Sequence, residues 1–528
     1  MKSKNLNMDV TTKNEAETNR IDESIAEIAI SETGFGKFSV KVTVISYLIY
    51  LNLTIGIIST GFVLPAAACH LQMNIVDKGL ITTAFFVGSC FSAVISGFLA
   101  NIKGRKWILL VALFLQGNAD FLLSILSNYW IIFGLKFLSG AGSAGQNIVF
   151  TYLSECLPMK NRSFILSNME FFCIFGHAFA AAVGLGIIPL YLDLEMKYFS
   201  FHSWNLYIII CSLPAFILGF CLMFLPETPK FLAESGSRGE LLKVLIKMYE
   251  QNSGKSGKEY MKILLRSNNT ALTELVNKNK EETEEIENLS KNVTVKSQIG
   301  NELEQIRSIF KPPFLKNTLL ACITAFTVTS SFYALYLWLP EIFQRFANFQ
   351  AEHSGENSNF CSISKDTFST IKSKNIHDCD TPIDKNVFIN NLILCSSCIP
   401  IIIIVTLLVK RYGLKTLLVS WCLLCILVTI GIYFSNSFHQ NLILLCLYLS
   451  FTSTSVTLQF AFFVTIFPTN FRSSGVIVTS LLVRTGAVFG NFTFSFLKDY
   501  CFYFILSICL LLLVAAISTT LIREKKDK

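Results

Sequence analysis

Twelve mostly apolar stretches, separated by polar segments, run through the chain at approximately 39–66, 78–100, 106–126, 129–155, 165–190, 205–225, 315–343, 385–409, 415–434, 440–467, 475–497 and 502–522. About 20 apolar residues carry a helix across a ~30 Å hydrocarbon core. In lipid a backbone must satisfy its own polar groups, which leaves helices and closed barrels as the spanning forms. The pattern therefore predicts an all-α integral membrane protein of twelve transmembrane helices in two six-helix bundles, residues 38–225 and 315–523. Between them lies a polar insert, 226–314, in which 239–250 and 301–310 have the spacing of short amphipathic helices. Residues 1–37 are polar and expected to be a disordered tail, and 524–528 form a second short tail. A loop at 344–384 is long for a connection.

Composition agrees with that architecture. Hydrophobic residues make up 52% and charged residues 15% of the chain, against roughly 25% charged in a soluble domain. The net charge of +8 does not point to nucleic acid, because the excess basic residues sit in short loops and tails, where they set orientation. One side carries Lys103, Arg105, Lys106, Lys160, Arg162, Lys410, Arg411, Lys415, Arg472 and the Arg523–Lys528 tail, whereas the short loops of the other carry Lys78, Lys197 and Lys498. The positive-inside rule makes the first side cytosolic and places both termini there. The polar start is no cleavable signal peptide, so the first span is expected to serve as signal and anchor together.

Several local patterns carry chemistry. Gly140, Gly142 and Gly145 fit the dinucleotide fingerprint by spacing, but that fingerprint needs a strand before it; inside an apolar helix, small residues at this spacing mean close helix packing. Most of the 16 cysteines lie inside spans. The CxxC pairs Cys395/Cys398 and Cys422/Cys425 lack the second pair or histidines of a zinc site and read as packing residues. Cys361 and Cys379 lie in the long non-cytosolic loop, where disulfides persist, and a bridge between them is expected. Lys136, Glu170, His177 and Arg484 are ionisable residues inside spans. Each is costly in lipid and should face protein or water. Arg484 and Lys136 are candidates for holding an anionic or polar solute, and Glu170/His177 for a titrating pair; internal charge pairing is the competing reading, and it is preferred for Glu170, placed near the cytosolic end of its span.

Four motifs together resemble the major facilitator superfamily and its sugar-porter branch: Gly97 to Lys106 with Gly104 and Arg105; Lys136 through Gly140 and Gly142 to Glu155, Pro158 and Arg162; Pro226-Glu227-Thr228-Pro229-Lys230; and Phe467-Pro468-Thr469 with Arg472 and Gly475. Gly34–Phe38, Gly61–Pro65, Phe201–Trp204 and Tyr333–Pro340 are most similar to the synaptic vesicle glycoprotein 2 family. The resemblance covers roughly 34–522. It implies alternating access between the two halves, a cytosolic gate formed by Gly97, Gly104, Arg105, Glu155, Arg162, Glu227 and Arg472, and a cavity lined by spans one, four, seven and ten. Asn52, Gln146, Asn147, Tyr333, Tyr336, Trp338 and Gln459 are the substrate-binding candidates on those spans, with Arg484 on the eleventh. The chain departs from the pattern at Asn101 and Thr465, where acids are expected, and at Leu53 and Gly56, where relatives carry acids in the first span. No proton coupling is expected through that helix.

No nucleophile–base set, metal cluster or phosphate loop stands out, so an enzyme is not expected and neither is a cofactor. Two functions stay open. One is carriage of a small polar or organic-ion solute, sugar-like or an organic anion or cation. The other is a non-transporting vesicle membrane protein that acts in trafficking through partner proteins on its loops. A monomer in the plasma membrane or an intracellular vesicle is expected. The Lys525-Lys526-Asp527-Lys528 tail also fits a dilysine retrieval pattern.

Overall fold

The computed structural model describes residues 25–266, 304, 306–352, 360–361 and 383–522, apart from 69, 127, 191, 197–198, 236, 468–471 and 498–499. Eleven helical runs among these residues are long and apolar enough to cross a membrane. The first half contains α1 (Lys37–Ala67), α2 (Ile75–Lys103), α3 (Arg105–Leu123), α4 (Tyr129–Gln146), α5 (Val149–Cys156), α6 (Met159–Ser167), α7 (Met169–Ile187) and α8 (Ser203–Met223). The twelfth crossing is the pair α4 and α5, interrupted at Asn147 and Ile148, whose N–H groups donate to the carbonyls three residues back at Ala144 and Gly145. A two-stranded antiparallel hairpin, β1 (Asp193–Met196) with β2 (Phe199–His202), joins α7 to α8, and Asp193 pairs with His202.

Three helices follow on the face that carries Arg105 and Arg162, called here the basic face: α9 (Pro229–Glu234), α10 (Arg238–Ser253) and α11 (Gly257–Arg266). The second half is built from α12 (Leu315–Tyr336), α13 (Leu339–Glu352), α14 (Lys385–Tyr412), α15 (Leu414–Phe434), α16 (Phe438–Ile466), α17 (Arg472–Leu497) and α18 (Cys501–Leu521).

The two halves repeat one turn. Gly104 separates α2 from α3 at φ +98°, and Gly413 separates α14 from α15 at φ +79°. Each donates its N–H to the last turn of the preceding helix, to Ala100 and Val409 respectively. Positive φ at both corners is what a glycine permits without a Cβ clash.

The apolar core reports how the halves are set. On the face away from Arg105, buried side chains of both halves form one body in which Phe62 and Trp204 of the first half share a core with Tyr336, Phe388 and Ile505 of the second. Towards the basic face the core divides. One part belongs to the first half and α10–α11, with Phe38, Leu109, Tyr152 and Tyr260; the other belongs to the second half, with Val328, Trp421 and Phe462.

Three sequence expectations are corrected. Residues 344–352, placed in the long loop, are helical and complete α13; Glu341 and Arg345, one turn apart near its start, lie on the same face of that helix. Residues 25–32, placed in a disordered tail, are helical, and Ile25, Ala26, Ala29 and Ile30 are buried. Their spacing makes one apolar stripe, short enough to go unnoticed beside the polar residues around it. Cys361 is bonded to Cys501 at the start of α18, with Cα atoms 5.4 Å apart, and not to Cys379, which lies outside the described residues. The fold brings the two cysteines together on the face away from Arg105 across 140 residues of sequence, a proximity that loop membership alone does not reveal.

Candidate functional site

The long helices place charged side chains at three levels. On the basic face, Glu155 ends α5 and Arg105 begins α3, and their side chains pair at 3.1 Å. Arg105 also reaches Glu234 at 3.1 Å, while Thr228 donates its hydroxyl to Glu155 at 2.6 Å. Glu227 accepts the backbone N–H groups of Arg105 and Lys106 at 3.1 and 3.0 Å. A carboxylate at a helix N-terminus satisfies donors that have no partner inside the helix and meets the favourable end of its dipole. Gly104 leaves room for it, since a Cβ there would lie 2.3 Å from Glu227 Oε2. Arg162 pairs with Glu27 at 2.9 Å, and Lys230 with the same carboxylate at 2.8 Å. Burial raises the Glu27 pKa, but Lys230 and Arg162 outweigh it and hold the carboxyl below its ordinary range. Gly97 has open space around it. Of Arg472 only the backbone, at the start of α17, is described. The gate residues whose partners are described therefore bind one another within the first half and its adjoining helices, not across to the second.

At the opposite face the halves are joined. Lys78 of α2 meets Glu341 of α13 at 2.8 Å, and Arg345 holds the same carboxylate at 3.3 Å. Asn491 of α17 donates to the Thr83 hydroxyl at 3.0 Å and the Gly79 carbonyl at 3.1 Å, and accepts from Trp338 Nε1 at 3.0 Å. Gly61 lies so close to α12 that a Cβ would stand 2.8 Å from the Leu337 carbonyl. Phe62 stacks on Phe388 with centroids 5.5 Å apart.

Mid-membrane, between these levels, lie the remaining candidates. Arg484 sits at the centre of the 26-residue α17, about 18 Å from its start at 1.5 Å per residue. Its guanidinium contacts the Ser89 hydroxyl and, at 3.4 Å, the Ser89 carbonyl on α2. Glu170 is the second residue of α7, on the same helical run as Arg162 of the basic face. It faces the Tyr50 hydroxyl at 3.5 Å and Thr457 of α16. Tyr333 packs on Phe86 across the halves with centroids 4.8 Å apart, and the charges of Glu170 and Arg484 both reach it. His177, two turns beyond Glu170, meets the edge of Tyr336 at 5.3 Å. His177 faces the side chain of Asn391 of α14, and Gln459 Oε1 is a buried polar atom without a hydrogen bond.

This geometry matches known carriers. The sequence profile of the "Sugar (and other) transporter" family matches residues 25–303. The chain belongs to that family. Family membership agrees with the resemblance drawn from Gly97–Lys106 and Pro226–Lys230, both inside the matched range. Among curated relatives, the chain is 28% identical over 334 residues to synaptic vesicle glycoprotein 2B of Rattus norvegicus, covering 61% of this chain and 47% of the relative. Synaptic vesicle glycoprotein 2A of the same organism is 28% identical over 342 residues, covering 62% and 45%. The match thus spans about half the length of these relatives. Among solved structures, the inward-open xylose transporter XylE from E. coli has a TM-score of 0.62 at 14% identity, covering 93% of this chain and 98% of that one. The nucleoside transporter NupG has a TM-score of 0.57 at 10% identity, over 92% of this chain and 100% of that one. At such identities the likeness establishes the major facilitator fold and nothing finer.

Within the carrier fold, the sequence candidates divide. Asn52 donates to Gln146 at 3.1 Å, and Gln146 donates to Gln116. These buried amides satisfy one another and read as interhelical contacts. Gly56, where relatives carry an acid, is filled from outside: a Cβ would meet Gln116 Nε2 at 1.8 Å. Asn147 bonds locally to the Ala144 carbonyl at 3.4 Å. Gln459 donates to Thr329 at 3.2 Å. Trp338 belongs to the closed face. Lys136 is neutralised by Asp120 of α3 at 3.0 Å, both side chains buried. Asp120, Glu341 and Asn491 were not singled out from the sequence. Asp120 had a readable signal, since it and Lys136 stand equally far from Asn128, the turn of the α3–α4 hairpin.

Proposed function

We propose that this family member moves a small polar or organic-ion solute by alternating access, with the basic face and both termini in the cytosol. The observation that carries the reading is the core that is shared between the halves on one side of Arg484, Glu170 and Tyr333 and divided on the other. A carrier that rocks its halves around a mid-membrane site needs this asymmetry. The positive excess on the divided side supports the cytosolic orientation. Solute enters or leaves the site through the divided side, while Lys78–Glu341, Asn491 and Phe62–Phe388 hold the other side shut. Glu170, Tyr333, Tyr336, His177 and Arg484 are the contacts that the arrangement favours. The protein acts as a monomer in the plasma membrane or an intracellular vesicle. Reconstitution into liposomes with counterflow of labelled sugars, organic cations and organic anions tests this reading. Uptake above empty liposomes that is lost on Tyr333→Ala is the expected result, and no counterflow with any class rejects it.

A second reading, a non-transporting vesicle protein that works through its loops, draws support from the names of the relatives and from Asn101, Thr465, Leu53 and Gly56 standing where family acids are expected. It predicts no counterflow, together with capture of partner proteins by 226–314 or 344–384.

A further inference from the structure

Among the described residues, the deep charged side chains come in neutralised groups, with Arg484 and Glu170 as exceptions. Lys136 has Asp120 at 3.0 Å, Lys78 and Arg345 share Glu341 at 2.8 and 3.3 Å, and Arg105 has Glu155 at 3.1 Å. Arg484 has no carboxylate among the described residues; its contacts are the hydroxyl and carbonyl of Ser89. Glu170 has no cation among them; its contacts are the hydroxyls of Tyr50 and Thr457. The two do not pair with each other, yet both lie within electrostatic reach of Tyr333, which packs on Phe86, one turn from Ser89 on α2. Arg484, at the middle of α17, Glu170, at the start of α7, and Tyr333, in the last turn of α12, all keep partial exposure. Thr457 of α16, which meets Glu170, is itself exposed.

A charge without a counter-charge inside a membrane protein is costly and marks a functional site by default. Here there are two such ionisable groups, an acid on the first half and a base on the second, with Tyr333 within electrostatic reach of both. A neutral sugar would leave both uncompensated. A simple anion or cation would satisfy one of them. We propose that the site takes a dipolar solute, one that carries an anionic group at one end and an ammonium group at the other. The anionic end meets the Arg484 guanidinium, which suits a carboxylate or phosphate. The cationic end meets Glu170 and the ring face of Tyr333, a surface that attracts ammonium groups. Because Glu170 belongs to the first half and Arg484 to the second, such a solute would also tie the halves together as they close around it. This inference rests on the carrier reading and narrows its substrate class.

The test uses the purified full chain and a panel of matched probes: ε-aminocaproate and γ-aminobutyrate as dipolar solutes, caproate as the anion, hexylammonium as the cation and D-glucose as the neutral solute. Thermal shift gives binding and counterflow gives movement. Dipolar probes are expected to bind the unaltered protein more tightly than any of the other three. Arg484→Gln and Glu170→Gln should each weaken ε-aminocaproate by roughly tenfold, the scale of one lost charge-assisted contact. They should do so with opposite residual preference: hexylammonium retained in Arg484→Gln, caproate retained in Glu170→Gln. A merely structural role for either residue would not move charge preference in opposite directions. D-glucose, caproate or hexylammonium binding the unaltered chain as tightly as the dipolar probes overturns the dipolar assignment and leaves the carrier reading standing. Failure of every class to bind or move overturns both. The comparison on the unaltered chain decides the matter even if a variant does not fold.

Discussion

At the scale of single residues, packing and charge balance both have sharp consequences. Gly140 of α4 lies against α2, and a Cβ there would stand 1.8 Å from the Phe85 carbonyl oxygen. Gly97 of α2 has nothing within 4 Å of the same construction. The two positions look alike in the sequence, each a glycine in an apolar run. Gly140→Ala should lower stability by about 1–3 kcal/mol, the range for forcing volume into a packed site. Gly97→Ala should be neutral or slightly favourable, because alanine is the better helix former. Denaturation of the purified variants compares them, and equal behaviour would contradict the packing account. Asp120 and Lys136 provide the electrostatic case. Asp120→Asn strands a buried ammonium and should cost about 3–5 kcal/mol, whereas the double change Asp120→Leu with Lys136→Met should recover most of that loss. Charge pairing of this kind is only half visible in a sequence. Lys136 was conspicuous on its own, whereas Asp120 becomes readable only when the α3–α4 hairpin is folded about Asn128 and the two positions are set opposite each other. Glu170 illustrates the reverse difficulty: its identity was plain, but its partner Thr457 lies on α16 of the other half, which its own helix does not reveal.

At the scale of elements, hydropathy made the long helices legible because lipid imposes a length and a composition on each. The elements that the pattern did not reveal are those that answer to neighbours. The helix at 25–32 is one. Tyr260 of α11 donates its hydroxyl to the Ala29 carbonyl at 2.8 Å, and burial raises that phenol's pKa. Asn252 of α10 donates to the Gly34 carbonyl at 2.9 Å and accepts from the Ser39 N–H at 3.2 Å. Glu27 closes the strap onto Arg162 and Lys230. Its folded pKa is lowered, so its stabilisation is fully present above the ordinary carboxylate pKa and fades as pH falls through the lowered value. Glu27→Gln should therefore weaken the strap at neutral pH, by about 1 kcal/mol given partial exposure, and remove the acid sensitivity of that contribution. Protease cleavage between residues 32 and 37, followed from neutral to acid pH, reports it; a cleavage rate that is the same in both chains at neutral pH would count against the strap. The Cys361–Cys501 bridge is a second neighbour effect. Non-reducing peptide maps should recover those two peptides joined. Cys361→Ser, Cys501→Ser and the double change should each cost the same, about 2–4 kcal/mol, because one bond is lost in all three.

At the scale of the whole molecule, the closed face is the part of the mechanism that a single contact can tilt. Lys78, Glu341 and Arg345 join α2 to α13 across the two halves, and the neighbouring Asn491 contacts depend on the same approach of α17 to α2. In the proposed alternating-access cycle these contacts would separate while the divided core on the basic face comes together. Glu341→Gln removes the carboxylate, leaving Lys78 and Arg345 facing each other without an anion. Both cations then gain by reaching water, which requires the closed face to open. The substitution thus acts on the equilibrium between the two orientations more than on the fold of either half, since its partners lie on different halves or one turn away on α13. Loss of one interaction worth about 1.4 kcal/mol shifts that equilibrium tenfold. Thr82 is buried against Asn491 at this interface, so Thr82→Cys supplies a probe for a membrane-impermeant maleimide applied from the face of Lys78. Labelling of Thr82→Cys above the background of the native cysteines should rise by about that factor when Glu341→Gln is added. Lys78→Gln with Glu341→Gln should label less than Glu341→Gln alone, because one of the two stranded cations is gone. If Glu341→Gln left labelling unchanged while the protein stayed folded, the ion pair would be a passenger of closure, and the aromatic and glycine contacts at Phe62–Phe388 and Gly61–Leu337 would hold that face by themselves.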